Sequence, residues 1–202
     1  MVVTEAPRPP LGLPPGSIRG ILALQIVIIL WMLLLAPDDR SVPVPLNLYF
    51  LLSLVMVFFV AHGKSIARRD EPTPSPLWLP GGTLRFIILV GTAAVFAYVG
   101  YNHPDRLDRL TPSPEQMKNW KYYLGALAIG FVLGYGVRIL PFRHGWAFQA
   151  FQAWIAIIAM ATMFLEVIFQ VIINFSLADR IDPVSWQTAV TGIVAFYYGS
   201  RS

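Results

Sequence analysis

Residues 146–177 read WAFQAFQAWIAIIAMATMFLEVIFQVIINFSL, and this stretch decides the fold that the sequence predicts. The run is almost entirely apolar and holds a single carboxylate, Glu166. A membrane-spanning helix needs roughly 20 apolar residues, whereas a surface helix of a soluble protein carries a polar face along its whole length. We therefore predict an all-α integral membrane protein.

A stripe of polar side chains follows one side of this predicted helix. Its members recur at intervals of four residues: Thr162, Glu166, Gln170 and Asn174. Each step of four leaves the next side chain about 40° further round an α-helix. Because an unpaired polar group in hydrocarbon costs several kcal/mol, the stripe is expected to face protein or water.

Glu166 has two interpretations at this point. It can be a neutral, hydrogen-bonded side chain that ties its helix to Gln187 or Thr191 of the last predicted helix. It can also line a path for protons or cations, since carboxylates within a membrane are commonly functional. The sequence alone leaves both interpretations open.

Composition supports a membrane protein and gives no sign of an enzyme. The chain has 202 residues, of which 56% are hydrophobic and 13% are charged, against about 25% charged in soluble domains. It has no cysteine, and its histidines are too far apart to suggest a metal site. We find no catalytic grouping and no phosphate-binding loop, and we predict no metal, no cofactor and no nucleic-acid partner.

Six apolar runs predict a bundle of six transmembrane helices. The last run, residues 184–198, is short and carries Gln187, Thr188 and Thr191, so five spans are the alternative. Residues 1–15 contain five prolines and are predicted to form a Pro-rich cytoplasmic tail. Residues 16–202 would then form a single transmembrane domain.

Matching segments suggest that the spans are repeated hairpins. Residues 13–19 (LPPGSIR) resemble residues 79–85 (LPGGTLR) position for position, and three runs end in a glycine with a basic residue one or two positions later. This pattern predicts three parallel helical hairpins, at about residues 16–65, 82–140 and 146–202.

Local signals predict where two of the helices begin. Ser17 is the expected N-cap of the first helix, because serine side chains accept hydrogen bonds from free backbone N–H groups. Residues 113–116 (SPEQ) contain an N-cap serine, a proline and a capping-box glutamine. We expect the fourth long helix to start there and to continue into its span.

The distribution of basic residues predicts the orientation. In the six-helix arrangement nine basic residues lie on one side and six on the other. The positive-inside rule then places both termini in the cytoplasm, in the cell (inner) membrane. Arg19 and Arg85 lie in the first turn of their helices, where the helix dipole disfavours a cation. We expect lipid phosphates to contact both arginines, with a partner's carboxylate as the alternative.

A ridge of small residues predicts close helix packing. Ala126, Gly130 and Gly134 recur every four residues in the fourth span, and Ala93, Ala97 and Tyr101 begin a weaker ridge in the third. Such ridges let helix backbones approach each other in a membrane. They serve contacts either within the chain or with another subunit.

The start and end of the domain resemble a known hairpin pattern. Residues 16–19 (GSIR) and 196–202 (FYYGSRS) are similar to uncharacterised bacterial membrane proteins that open with LPxGS[VI]R and close with FYFGSR. The resemblance implies a bacterial source and no particular activity.

From these observations we expect a non-catalytic integral membrane subunit. It would pack in a larger membrane protein assembly or in a homo-oligomer, and its partners would be the bilayer and other subunits or copies of itself. The alternative is a small ion or proton channel or transporter, with a polar path along Glu166, Gln170 and Asn174.

Overall fold

A computed structural model describes residues 13–14, 16–37, 43–63, 77, 79, 82–139, 146–173 and 183–201. Across these residues the chain is helical and contains no strand, which confirms the all-α prediction. The helices are α1 (Ser17–Leu35), α2 (Leu46–Gly63), α3 (Thr83–Asn102), α4 (Pro114–Lys118), α5 (Trp120–Ile139), α6 (Trp146–Ile168) and α7 (Val184–Arg201). A 3₁₀ helix, Pro104–Leu110, follows α3, and a π-helical turn, Phe169–Ile173, extends α6. Nearly all of the predicted N-terminal tail lies outside the described residues.

Among the described residues, three helices are long and apolar enough to cross a membrane. They are Ser17–Leu35, Thr83–Asn102 and Ala150–Ile173, the last of which joins α6 to its π-helical turn. In addition, Leu46–Val57 of α2 is a shorter apolar helix.

Helix α1 lies at the centre of the structure. It contacts α2, α3 and α6, and side chains on more than one of its faces are buried, among them Leu22, Ala23 and Val27. A helix that is apolar all round is expected in a core. By contrast, α3 contacts α1 and the 3₁₀ helix. Over the most apolar 18 residues of each helix, 56% of the residues are buried in α1 and 11% in α3.

Contacts between helices show which of them run in the same direction. Gly20 at the start of α1 lies against Leu84, and Trp31 near its end lies against Gly91, so α1 and α3 are parallel. Helices α5 and α7 are parallel as well, because contacts advance along both from Ala126 with Gly192 to Gly134 with Phe196.

The long helices alternate in direction along the chain. Tyr198 near the end of α7 donates a hydrogen bond to the carbonyl of Arg19, over 3.2 Å, and this end is called the opening side. Tyr49 near the start of α2 donates to the carbonyl of Leu110 over 2.6 Å, and this end is called the loop side. Helices α1, α3 and α6 begin at the opening side, and α2, α5 and α7 begin at the loop side.

The two matching openings have the same backbone geometry. Gly16 and Gly82 precede α1 and α3 with φ angles of 86° and 90°, a left-handed conformation that glycine adopts without strain. The prediction that Ser17 is the N-cap was wrong, because Gly16 holds that position. Ser17 is the first helical residue, and its buried hydroxyl accepts a hydrogen bond from the Leu77 N–H at 2.8 Å.

The predicted capping box is confirmed at Ser113, but the helix that it starts is short. Ser113 Oγ accepts from the Gln116 N–H, and Gln116 Oε1 accepts from the Ser113 N–H. Helix α4 ends at Lys118, and α5 begins only at Trp120, so the expectation of one continuous helix was wrong. The break occurs at Asn119, which has φ −95° and ψ 1° and whose N–H bonds to the Gln116 carbonyl.

Candidate functional site

The polar stripe of α6 lies inside the structure, and Glu166 is at its centre. This side chain is only 2% exposed. Its Oε2 accepts a hydrogen bond from Trp186 Nε1 of α7 at 2.6 Å, and its Oε1 accepts from Gln170 Nε2 at 3.0 Å. Each carboxyl oxygen therefore has a neutral N–H donor, and one of these bonds joins α6 to α7.

The bond that joins Glu166 to α7 comes from Trp186, which precedes the expected partner Gln187 by one position. Gln187 Oε1 accepts from the Tyr123 hydroxyl of α5 at 2.8 Å. Thr191 donates to the carbonyl of Gln187, in its own helix, over 2.8 Å. The expected partners Gln187 and Thr191 therefore lie next to the site. Gln187 connects α7 to α5, and the Thr191 bond lies within α7.

The remaining members of the stripe differ in how the structure describes them. Thr162 is buried one turn before Glu166, and Gln170 is fully buried, whereas Asn174 lies outside the described residues. Gln170 belongs to the π-helical turn, which contacts α1. Turns of this kind are often found at functional sites.

The small-residue ridge of α5 packs inside the chain, against α7. A Cβ atom added at Gly130 would overlap the carbonyl oxygen of Gly192, and one at Gly134 would overlap that of Phe196. A Cβ added at Gly192 would lie 3.8 Å from Cβ of Ala126. Since the two backbones are this close, the ridge serves an internal contact.

On the loop side, a buried arginine binds the C-terminal end of α1. Arg109 is 6% exposed, and its guanidinium donates to the carbonyls of Leu33 at 3.0 Å, Ala36 at 2.7 Å and Pro37 at 3.3 Å. These carbonyls have no partner within the helix, and a cation is favoured at this end of the helix dipole. Its own carbonyl accepts from the Val44 N–H at 2.9 Å, so Arg109 also holds the start of α2.

Arg19 and Arg85 both lie on the opening side. Both are partly exposed, and they occupy the first turns of α1 and α3, which meet at Gly20 and Leu84. Neither first turn contains an acidic residue. The contact of these arginines with lipid phosphates stays a prediction.

Sequence reasoning missed Trp186, Tyr123 and Arg109. A buried indole N–H or phenol O–H usually finds a hydrogen-bond partner. Glu166 was the one carboxylate predicted to lie within the membrane, so Trp186 could have been considered as its donor. The role of Arg109 had no comparable signal, because its partners are backbone carbonyls more than 70 positions away.

We call Glu166, Gln170, Trp186, Gln187 and Tyr123 the cluster. These side chains offer hydrogen bonds rather than reactive groups. Within the described part of the chain no three His, Cys, Asp or Glu side chains could hold a metal ion together. In the same residues, two buried acceptor atoms lack a donor, Gln25 Oε1 and Asn47 Oδ1.

No protein family, curated protein or solved structure matches the chain.

Proposed function

We propose that this chain is a non-catalytic subunit of the cell (inner) membrane, in which all six long helices cross the bilayer. Both termini lie in the cytoplasm. The subunit packs in a larger membrane protein assembly or in a homo-oligomer.

The burial of Glu166 between its two donors carries the proposal. A carboxyl group that is 2% exposed and accepts hydrogen bonds at both oxygens is well suited to joining helices in a medium where water cannot replace those bonds. Gln187 and Tyr123 make a second polar contact of the same kind, between α7 and α5.

The outer surface supports a location in lipid. Large apolar side chains are exposed on three helices: Phe86, Leu89 and Val90 on α3, Ile129, Val132 and Leu133 on α5, and Trp154, Ile158, Phe164 and Leu165 on α6. A soluble monomer rarely exposes contiguous apolar patches of more than a few hundred Å². Hydrocarbon chains of lipids and apolar faces of neighbouring subunits are both suitable environments for such a surface.

The alternative, a channel or transporter with a path along Glu166, Gln170 and Asn174, has less support. The indole of Trp186 can only donate a hydrogen bond, and the amides of Gln170 and Gln187 do not exchange protons readily at neutral pH. A proton relay through these contacts would therefore stop at Trp186. The contacts favour a structural role for the cluster.

Fractionation followed by native purification tests the proposal. The protein should stay in the membrane fraction after alkaline carbonate washing and require detergent for release. In mild detergent it should then migrate as a species larger than its 22.5 kDa chain and its bound detergent, alone or with other membrane proteins. Release without detergent would reject the membrane location, and a monomer without partners would reject the role as a subunit.

A further inference from the structure

Three parallel helices form a row in the order α6, α1, α3. Helix α1 contacts both of the others. Towards α3, its Trp31 donates a hydrogen bond to Thr92 Oγ1 at 3.1 Å. Towards α6, its Gln25 Nε2 reaches the carbonyl oxygen of Met160 at 3.5 Å.

The sequence repeat sets which positions of α1 and α3 correspond. With this correspondence, the two helices contact their neighbours in the row through matching faces. Leu13 matches Leu79, so equivalent positions differ by 79 − 13 = 66. Gln25 of α1, which meets α6, corresponds to Gly91 of α3, which meets α1 through Trp31. The inner face of α3 is therefore the counterpart of the α6-facing side of α1.

The same shift identifies an open face on α3. Gly20 and Trp31, with which α1 meets α3, correspond to Phe86 and Ala97, and the residues between them on that face, Leu24 and Val27, correspond to Val90 and Ala93. We call Phe86, Val90, Ala93 and Ala97 the outer face of α3. All four side chains are exposed, and Phe86 is 65% exposed.

Helix α6 has an open face at the other end of the row. Its buried residues Ala156, Ala159 and Met163 lie on the side that faces the core. Residues two positions away lie on about the opposite side of a helix. They form the outer face of α6: Trp154, Ile158, Ala161 and Leu165, which are all exposed.

From this arrangement we propose that a second copy of the chain continues the row, with its α6 outer face packed on the α3 outer face of the first copy. The inference rests on the proposed function and names the partner. Helix α6 belongs to the third predicted hairpin, α1 to the first and α3 to the second. The row therefore has the order third, first, second. A third hairpin from the next copy therefore continues the order, and it packs on the counterpart of the α1 face that binds α3 within the chain.

The two outer faces also differ in size in a complementary way. Ala93 and Ala97 leave a shallow region on α3, whereas Trp154, Ile158 and Leu165 project from α6. Small residues opposite large ones allow close helix contact in a membrane. Because the two faces are different, the contact is head-to-tail, and repeated contacts of this kind close into a ring when the rotation permits.

Disulfide cross-linking between copies tests the proposal directly, since the chain has no cysteine of its own. Gln25 is level with Met160, and Trp31 is level with Gly91 and Thr92. Leu165 and Ala93 therefore lie within about two to three residues, or roughly 3–4.5 Å, of the same depth. Copies with Ala93→Cys and one tag are mixed in vesicles with copies that carry Leu165→Cys and another tag, and are then oxidised.

A cross-linked product with both tags is the expected result. Ala128 is exposed on α5, and Ala128→Cys in place of Ala93→Cys is the matched control that should give no such product. No product, a product only between two Ala93→Cys copies, or equal yield from the control would overturn the proposal.

A packing variant gives a second readout that does not need oxidation. Ala93→Trp should shift tagged wild-type chains towards monomer in single-molecule photobleaching, whereas Ala128→Trp should leave the distribution unchanged. Both positions are exposed, so neither change disturbs the core. If both variants retain the wild-type distribution while the wild type co-purifies with other membrane proteins, the second-copy contact is rejected and the proposed subunit role stands.

Discussion

The guanidinium of Arg109 lies 2.7 Å from the carbonyl oxygen of Ala36, the residue that follows α1. The two residues are 73 positions apart, and between them the chain passes through α2 and α3. This contact joins the 3₁₀ helix that follows α3 to the end of the central helix. It connects two parts of the chain that lie far apart in sequence.

Replacing Arg109 should lower stability more than replacing an exposed cation. Arg109→Met keeps much of the side-chain length but removes the donors to Leu33, Ala36 and Pro37. We expect a loss of roughly 1.5–3 kcal/mol, the range for a hydrogen bond to a charged group, measured by unfolding in detergent. Lys118→Met, at an exposed position, is the control and should change stability little. Equal effects of the two variants would contradict the role of Arg109.

Two substitutions at Glu166 separate the structural role from ion conduction. Glu166→Gln retains an acceptor for Trp186, so the protein should remain folded and assembled. Glu166→Leu leaves the Trp186 and Gln170 donors without their acceptor and should cost more, with about 0.6 kcal/mol from the interhelical bond to Trp186. Melting curves of both variants measure the difference.

A flux assay in proteoliposomes completes the comparison. We expect no proton or cation flux through the purified wild type. Strong flux that disappears in folded Glu166→Gln would favour a channel instead, since a neutral amide neither relays a proton nor attracts a cation.

Trp186→Phe should weaken the contact between α6 and α7 without removing an aromatic ring. The change deletes the donor to Glu166 and should destabilise the protein by about 0.6 kcal/mol. Trp120→Phe, at a site 40% exposed on α5, is the matched control. In a double-mutant cycle, Trp186→Phe should cost less once Glu166→Leu is present, because the hydrogen bond is already lost. Additive effects would show that the two side chains do not interact.

Two glycines of the same helix should respond in opposite ways to alanine. At Gly130 a Cβ overlaps the Gly192 carbonyl, whereas at Gly125 no atom lies within 4 Å of an added Cβ. Gly130→Ala should therefore destabilise the protein. Gly125→Ala should be neutral or gain up to about 1 kcal/mol, from the higher helix propensity of alanine. Thermal unfolding of both variants checks the difference, and equal stabilisation would place α7 further from α5.

Reporter fusions test the orientation. Fusions after Arg69 and after Ser202 should report the cytoplasm, and fusions near Ser113 and Asp179 should report the opposite side. This result follows if all six long helices cross the bilayer with the more basic side inward. A reporter after Ser202 found outside would leave five spans.

Patterns that depend on neighbouring residues were predicted well. Apolar runs marked the long helices, because such helices can be buried or exposed to lipid on every side. The Ser113 capping box was found because both of its hydrogen bonds span three positions. The prediction that Ser17 is the N-cap failed for a related reason. Serine is a preferred N-cap residue, but Gly16 before it adopts the left-handed geometry and holds that position.

Contacts between distant segments were much less predictable. The spacing of Ala126, Gly130 and Gly134 indicated close packing, but it did not identify α7 as the partner. Thr162, Glu166 and Gln170 were expected to avoid lipid, and the three are buried, whereas the donor Trp186 depends on how α7 is rotated. Arg109 was hardest to predict, because any helix end can supply carbonyls and the sequence does not show which end is near.

The close contact between α5 and α7 has a consequence for the order of events during synthesis. Gly130 and Gly134 meet Gly192 and Phe196, which emerge from the ribosome about 60 residues later. At roughly 5–20 residues per second, α5 waits about 3–12 s for its partner. During that interval its glycine face lacks the partner that covers it in the folded chain. Whatever covers this face in the meantime must therefore leave it before α7 can pack there.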